Sequence, residues 1–315
     1  MYFLELILFC ICLGLCFLGL LLTWVIFTTQ RDPEIMCLPG EESFKCPNTG
    51  SKIQFPSLKD SEGSKDLSVV IPAYNEESRL PPMLEETISY LEGRDDLSYE
   101  IIVVDDGSKD RTTEIAQSRA KEIGSDKLRV LTLAKNRGKG GAVRMGVLRS
   151  RGKSILFADA DGATHFPDFG KLESVLKDKN ADLVCGSRAH LEDESIASRS
   201  AFRTVLMKGF HFCVWMFGSK TVMDTQCGFK LMSRQTAQTL FYHLHIERWA
   251  FDVELIKMGE SIGLNIQEVA VKWQEIDGSK LDPMSASIQM LLDLFMLWLR
   301  YSLRLWSVKS SKKKD

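Results

Sequence analysis

Two carboxylates one residue apart, Asp159 and Asp161, end the apolar run Ser154-Ile-Leu-Phe-Ala-Asp-Ala-Asp-Gly162. Gathering that much negative charge at a strand end is unfavourable unless a cation sits between the carboxylates. Mg²⁺ and similar hard ions take oxygen ligands, commonly one or two carboxylates completed by substrate phosphates. The chemistry on offer is therefore metal-bridged binding of a phosphorylated, nucleotide-type substrate. Paired aspartates also open turns and cap helices, so the surrounding elements must decide between the two.

Those elements read as an alternation. Apolar, β-branched runs predict strands over 67–71, 100–104, 128–133, 154–158 and 181–185. Between them, Leu80, Met83, Leu84, Thr87, Ile88 and Leu91 recur at helical spacing, and a second helix carries Ile115, Ala116, Ala120 and Ile123 with Asp110 as its N-cap. Continuous apolar strands alternating with helices imply an α/β, mostly parallel sheet covered on both faces. Ligands of such sheets bind at the carboxyl ends of the strands. Tyr74-Asn75-Glu76, Asp105-Asp106-Gly107-Ser108, the aspartate pair and Gly186-Ser187-Arg188 all follow strands, so the polar residues converge on one edge. Two phosphate-loop readings fail. Gly138-Lys-Gly-Gly-Ala-Val-Arg-Met-Gly146 lacks the GxGxxG spacing, and Gly152-Lys153-Ser154 leads into a strand without the glycine a P-loop needs.

Composition sets the outer bounds. In 315 residues, 26% charged with a net charge of −2, no global basic field points to nucleic acid. Eight cysteines, three of them in an apolar stretch, are too sparse for a disulfide scaffold and show no zinc pairing. Ile7 to Phe27 is 21 residues of almost purely apolar side chains, long enough to cross a hydrocarbon core of about 30 Å. With no basic n-region and no A-x-A-like site, it reads as an uncleaved anchor. Basic residues begin only after it, at Arg31, which puts the main domain in the cytosol. The expected organisation is an anchor over 1–28, a linker over 29–66 rich in Pro, Ser and Gly, a catalytic domain over 67–282, and a tail over 283–315. In that tail, 288–306 suggests an amphipathic helix at the membrane interface, or equally one packed on the core. Lys312 and Lys313 match a dilysine retrieval signal of endoplasmic reticulum membrane proteins.

Val69-Val-Ile-Pro-Ala-Tyr-Asn-Glu76, Val103-Val-Asp-Asp-Gly-Ser108 and Ala158-Asp-Ala-Asp161, in this order, resemble the family 2 glycosyltransferases of GT-A fold over about 67–282. Asp224-Thr-Gln-Cys-Gly-Phe-Lys230, Arg248-Trp-Ala-Phe-Asp-Val-Glu254 and Asp277-Gly-Ser-Lys280 narrow the likeness to members whose acceptor is dolichyl phosphate. The resemblance implies inverting transfer of glucose from UDP-glucose to dolichyl phosphate, for N-glycosylation, on the cytosolic face of the endoplasmic reticulum. Mannose from GDP-mannose is the alternative that spacing does not exclude. A non-catalytic membrane adaptor on the same fold is a third, opposed by the intact aspartate pair, Glu76 and Arg188.

By the same resemblance Pro72, Tyr74 and Glu76 line the nucleotide pocket, with Asp106 near the base and ribose. Asp159 and Asp161 hold a divalent metal, Mg²⁺ or Mn²⁺, and the diphosphate. Arg188, Arg199, Arg203, Gln226 and Lys280 serve the acceptor phosphate, with Lys230 shaping that side and Arg188 counted with the aspartate pair as catalytic. Asp252 and Glu254 are possible bases, but a phosphate oxygen is already nucleophilic at neutral pH, so none is required. Two positions depart from the relatives' pattern. Ala163 stands where mannosyl members often carry a polar side chain, implying a more hydrated ion. His245 replaces the glutamine of the QxxRW signature of processive synthases.

Overall fold

The near-continuous apolar runs form the middle of one sheet, because helices cover it on both sides. The computed structural model describes residues 2–59, 62–190, 209, 213–276 and 283–308. Strands β3 (Lys65–Ala73), β4 (Tyr99–Asp105), β5 (Leu128–Thr132) and β6 (Gly152–Ala158) are mutually parallel in the order β5-β4-β3-β6. The sheet continues through β8 (Phe229–Ser233), β7 (Leu183–Ser187) and β9 (Ile266–Ala270), with β8 antiparallel to both neighbours. This is the mostly parallel α/β sheet expected. β8 escaped the sequence reading because Lys230 interrupts its apolar run, and β9 because its residues are only half-buried.

One face is covered by α2 (Leu80–Glu92), α3 (Thr112–Ile123) and α5 (Phe169–Asp178). The other carries α4 (Lys139–Val147), α6 (Arg234–Phe241) and α7 (Phe251–Ser261). Asp110 is not the N-cap of α3, a position taken by Arg111. It accepts instead from the Thr112 N–H at 3.0 Å and the Glu77 N–H at 3.2 Å, tying the loop after β3 to the loop after β4.

At the amino end, α1 (Tyr2–Thr28) contains one apolar stretch able to cross a membrane, Phe3–Thr28. Its 27 residues extend about 40 Å at 1.5 Å per residue, and it is the one such candidate span among the described residues. The segment expected to be a loose linker is packed instead. It forms a hairpin, β1 (Ser43–Lys45) with β2 (Lys52–Gln54), and buries Glu41, Phe44, Cys46 and Leu58 against the domain. Hydrogen bonds from residues far along the chain hold it, which composition alone cannot reveal. Near the carboxyl end, α8 (Pro283–Ser302) buries Met290, Leu294 and Leu297, two of which pack against Val214, Ala250 and Val253. Its other side exposes Ile288, Leu292 and Trp298, and the buried face is the one the core-packed reading describes.

Glycine at 146 sets how closely α4 lies on the sheet, since a Cβ there would stand 2.5 Å from Val70 Cγ1 and 2.8 Å from Val104 Cγ2. Gly146→Ala should lower unfolding stability by about 1–3 kcal/mol through overpacking, read from urea melts of the full chain. Gly14→Ala, where a Cβ meets nothing within 4 Å, is the control expected to show no change.

Candidate active site

The turns after β3 and β4 carry the residues expected to meet the nucleotide. Pro72 sits near the end of β3, past the point where pairing with β6 stops at Val70, so its missing N–H leaves no ladder bond broken. Asn75 adopts a left-handed φ of 54°, donates its N–H to Ser108 Oγ at 2.8 Å, and accepts from the Lys109 N–H at 2.8 Å. Tyr74 is left exposed at the edge. The Glu76 carboxylate is gripped by Arg79 Nε and Nη2 at 2.7 and 2.6 Å, as half of an ion pair.

Asp106 is buried and has both oxygens engaged. Oδ1 accepts from the Arg137 N–H at 2.7 Å and Oδ2 from the Gly138 N–H at 2.9 Å. Burial pushes its carboxyl up to about 6, against the pull of those two N–H groups. The neighbouring Asp105 accepts from the Ser108 N–H and the Thr113 hydroxyl.

The aspartate pair has a neighbour that sequence reasoning discarded. Lys139 Nζ lies 2.6 Å from Asp159 Oδ1. It comes from the glycine-flanked stretch rejected as a nucleotide loop; the usable signal was a lysine between glycines at a helix start. Gly138 there has φ 88°, a region that favours glycine. Burial works against the Lys139 ammonium, but Asp159 and then Asp252 outweigh it and hold its pKa above the ordinary value. Asp161 Oδ1 accepts from the Ala163 N–H at 3.0 Å, closing the turn that Gly162 opens at φ 71°. Across the strand pair, Gly228 lets the chain pass Asp159, where a Cβ would lie 2.1 Å from Oδ2. No group of three His, Cys, Asp or Glu side chains able to hold a metal occurs among the described residues. Two part-exposed carboxylates, Asp159 and Asp161, are of the oxygen-donor type that suits a hard divalent ion completed by phosphate oxygens and water.

On the acceptor side, Arg188 is engaged by Asp224, with Nε and Nη2 at 2.8 and 2.9 Å from its two oxygens. Its guanidinium stands 5.3 Å from the Trp273 ring centroid, and Trp273 bridges to Thr164 beside the aspartate turn. Neither Asp224 nor Trp273 was singled out from sequence, although Asp224 opens one of the quoted motifs. Gln226 Nε2 meets Met290 Sδ of α8 at 3.5 Å. Arg199, Arg203 and Lys280 lie outside the described residues.

Lys230 does not open onto the acceptor side as a free cation; it is buried and bonded to Asp252 Oδ1 at 2.5 Å and the Cys227 carbonyl at 2.7 Å. Glu254 accepts from the His245 and Ile246 N–H groups, from His245 Nδ1 at 2.9 Å and from the Tyr301 hydroxyl at 3.2 Å. Both carboxylates weighed as bases are therefore occupied by structural partners.

Residues 68–241 match Glycosyl transferase family 2. A dolichyl-phosphate beta-glucosyltransferase of Drosophila melanogaster is 53% identical over 300 residues, covering 92% of each chain. The enzyme of that name from Homo sapiens is 51% identical over 302 residues, 93% of each. The chain belongs to the dolichyl-phosphate beta-glucosyltransferases of glycosyl transferase family 2. Among solved structures, glucosyl-3-phosphoglycerate synthase from Mycobacterium tuberculosis, in complex with Mn²⁺, UDP-glucose and phosphoglyceric acid, superposes with a TM-score of 0.54. It is 19% identical, covering 77% of this chain and 82% of that one. At that identity the likeness is one of fold, and the GT-A architecture read from the motifs is the one found.

Burial of Asp106, which holds its carboxyl up at about 6, predicts an acid-sensitive loop. Below about 6 the carboxyl gains a proton and presents a hydroxyl where an N–H donor already points, which loosens its hold on the 133–138 loop. kcat/KM for the glycosyl donor should fall on the acid side with a midpoint near 6, and Asp106→Asn should lose that limb. Because the folded pKa is raised above the unfolded one, the group's contribution to stability grows as pH falls through about 6 and is lost as pH rises through it. Acid should therefore weaken turnover before it weakens the fold, as paired pH–rate and thermal-melt profiles would show.

Proposed function

We propose that this glycosyltransferase moves glucose from UDP-glucose to dolichyl phosphate at the cytosolic face of the endoplasmic reticulum membrane, giving the β-linked lipid product. The observation that carries the reading is the 53% identity, over 92% of both chains, to an enzyme named for that transfer. The apolar helix α1 supports a membrane-bound acceptor.

The glucosyl donor is α-linked and the product β-linked, so a single displacement at the anomeric carbon accounts for the stereochemistry. The phosphate oxygen of the lipid is the nucleophile and needs no strong base, which agrees with Asp252 and Glu254 being taken by Lys230 and His245. Asp106, with the walls made by Tyr74 and Glu76, orients the nucleoside. Asp159 and Asp161 would hold Mg²⁺ or Mn²⁺, which when bound neutralises charge developing on the departing diphosphate. Lys139, at Asp159, adds a positive charge on the same side. Arg188, fixed by Asp224, would offer the guanidinium N–H groups that Asp224 leaves open to the acceptor phosphate.

Membranes carrying the full chain should transfer glucose from UDP-glucose to lipid only when dolichyl phosphate is supplied, and should leave GDP-mannose unused. Lipid product from GDP-mannose instead, or no lipid product from either donor, overturns the reading. In the same assay Asp161→Asn should lower kcat by at least about 100-fold while membrane insertion and circular dichroism stay unchanged. Near-native turnover would remove Asp161 from the metal site.

A further inference from the structure

The stretch from Gln30 to Glu42 joins anchor to domain, yet it is bonded far more closely than a tether requires. Trp306 Nε1 donates to the Gln30 carbonyl at 2.9 Å, and His245 Nε2 lies 3.1 Å from the Arg31 carbonyl. Three buried arginines from α4 and its flanks then take up further carbonyls. Arg144 Nη1 donates to Glu34 O at 3.0 Å, Arg149 Nε to Glu41 O at 3.0 Å, and Arg137 Nη1 to Met36 O. A segment with no neighbouring strand has carbonyls to satisfy, and guanidinium groups satisfy them without water.

Glu41 is where this strap meets the site. Its side chain is fully buried. Oε1 accepts from the Ala134 N–H at 3.0 Å, and Oε2 from the Leu38 N–H at 2.9 Å and Arg137 Nη2 at 2.5 Å. Ala134 and Arg137 belong to the loop whose opposite side holds Asp106. Asn136 Nδ2 donates to Asp106 O at 3.1 Å, while the Arg137 and Gly138 N–H groups bind its carboxylate. The next residue is Lys139, at Asp159. Arg137 Nε is buried without a partner, and Glu41 is the carboxylate paired with that guanidinium among the described residues.

We propose that Glu41, 96 residues from Arg137 in the chain, is a positioning residue of the nucleotide pocket: through Ala134 and Arg137 it fixes the loop that holds Asp106. The proposal rests on the reading of Asp106 as a nucleotide-binding residue. Without the Glu41 charge, Arg137 is a buried cation lacking its counter-ion, a situation strongly disfavoured in a protein interior. The loop then shifts to hydrate it, and the two N–H groups on Asp106 shift with it. The strap from the membrane is thereby part of the site.

The test is steady-state kinetics on the full chain in lipid–detergent micelles. Glu41→Gln keeps the size and one acceptor but not the charge. It should raise KM for UDP-glucose about tenfold and weaken UDP binding in parallel, leaving KM for dolichyl phosphate and kcat within about twofold. Trp306→Phe, which removes the indole bond at the membrane end of the strap, should leave the donor KM unchanged. A lowered melting temperature with an unchanged donor KM in Glu41→Gln overturns the proposal, as does an equal donor KM rise in Trp306→Phe. If Glu41→Gln does not fold, Glu41→Asp, which keeps the charge but draws it one methylene back from the Ala134 N–H and Arg137, should raise the donor KM by a smaller factor, and an unchanged donor KM there is equally fatal. Asp106→Asn is measured alongside. A donor KM that stays put in that variant fells the underlying reading, whereas a raised one beside an unaffected Glu41→Gln fells only the role of Glu41.

Discussion

Asp106 is buried at the end of β4 with both oxygens taken by consecutive N–H groups, those of Arg137 and Gly138. The next residue, Lys139, reaches across to Asp159 at the end of β6. One short loop therefore engages two carboxylates delivered by different strands. Like charges converging on a sheet edge repel and are poorly solvated. The loop answers the first carboxylate with backbone dipoles and the second with an ammonium. Gly138, in the left-handed region, and Gly140, whose Cβ would fall 2.6 Å from Phe251, let the chain turn tightly enough to do both.

The other end of β4 shows what full compensation looks like. Glu100, completely buried, accepts from Ser68 Oγ at 2.6 Å, from the Arg151 N–H and Nε at 2.6 and 2.7 Å, and from Arg129. Each lone pair is matched. At the carboxyl edge, Asp159 has one strong partner, and Asp161 one turn-closing N–H. Both remain part-exposed. Among the described residues, charge is saturated at the far end of β4 and less fully matched at the aspartate pair.

The central strands were legible because both faces are covered, which leaves unbroken apolar runs in β3, β4 and β6. The strand-end motifs were legible for the same reason, since each follows such a run. What stayed hidden depends on partners distant in the chain. Lys230 breaks the pattern of β8 because it neutralises Asp252, on α7. The strap read as a linker because its Pro, Gly and Ser content is that of a tether; its bonds to Arg137, Arg144 and Arg149 appear only once α4 is folded. Lys139 was set aside for lacking a known spacing, although what matters there is where the helix begins.

A rigid mount has a physical consequence for an enzyme whose acceptor is confined to a bilayer. A flexible tether of a dozen residues would let the domain tumble, and each lipid phosphate would meet the site in few productive orientations. Here α1 leads directly into carbonyls held by Trp306 and His245, and from there to Glu41 at the nucleotide loop. Trp306 follows α8, the helix whose Met290 touches Gln226 on the acceptor side and whose far face exposes Ile288, Leu292 and Trp298. Orientation fixed during folding does not have to be found again at every encounter, and such pre-organisation lowers the entropy lost on the way to the transition state. On this account the extensive bonding of the strap is part of how donor pocket and membrane-bound acceptor are brought into register.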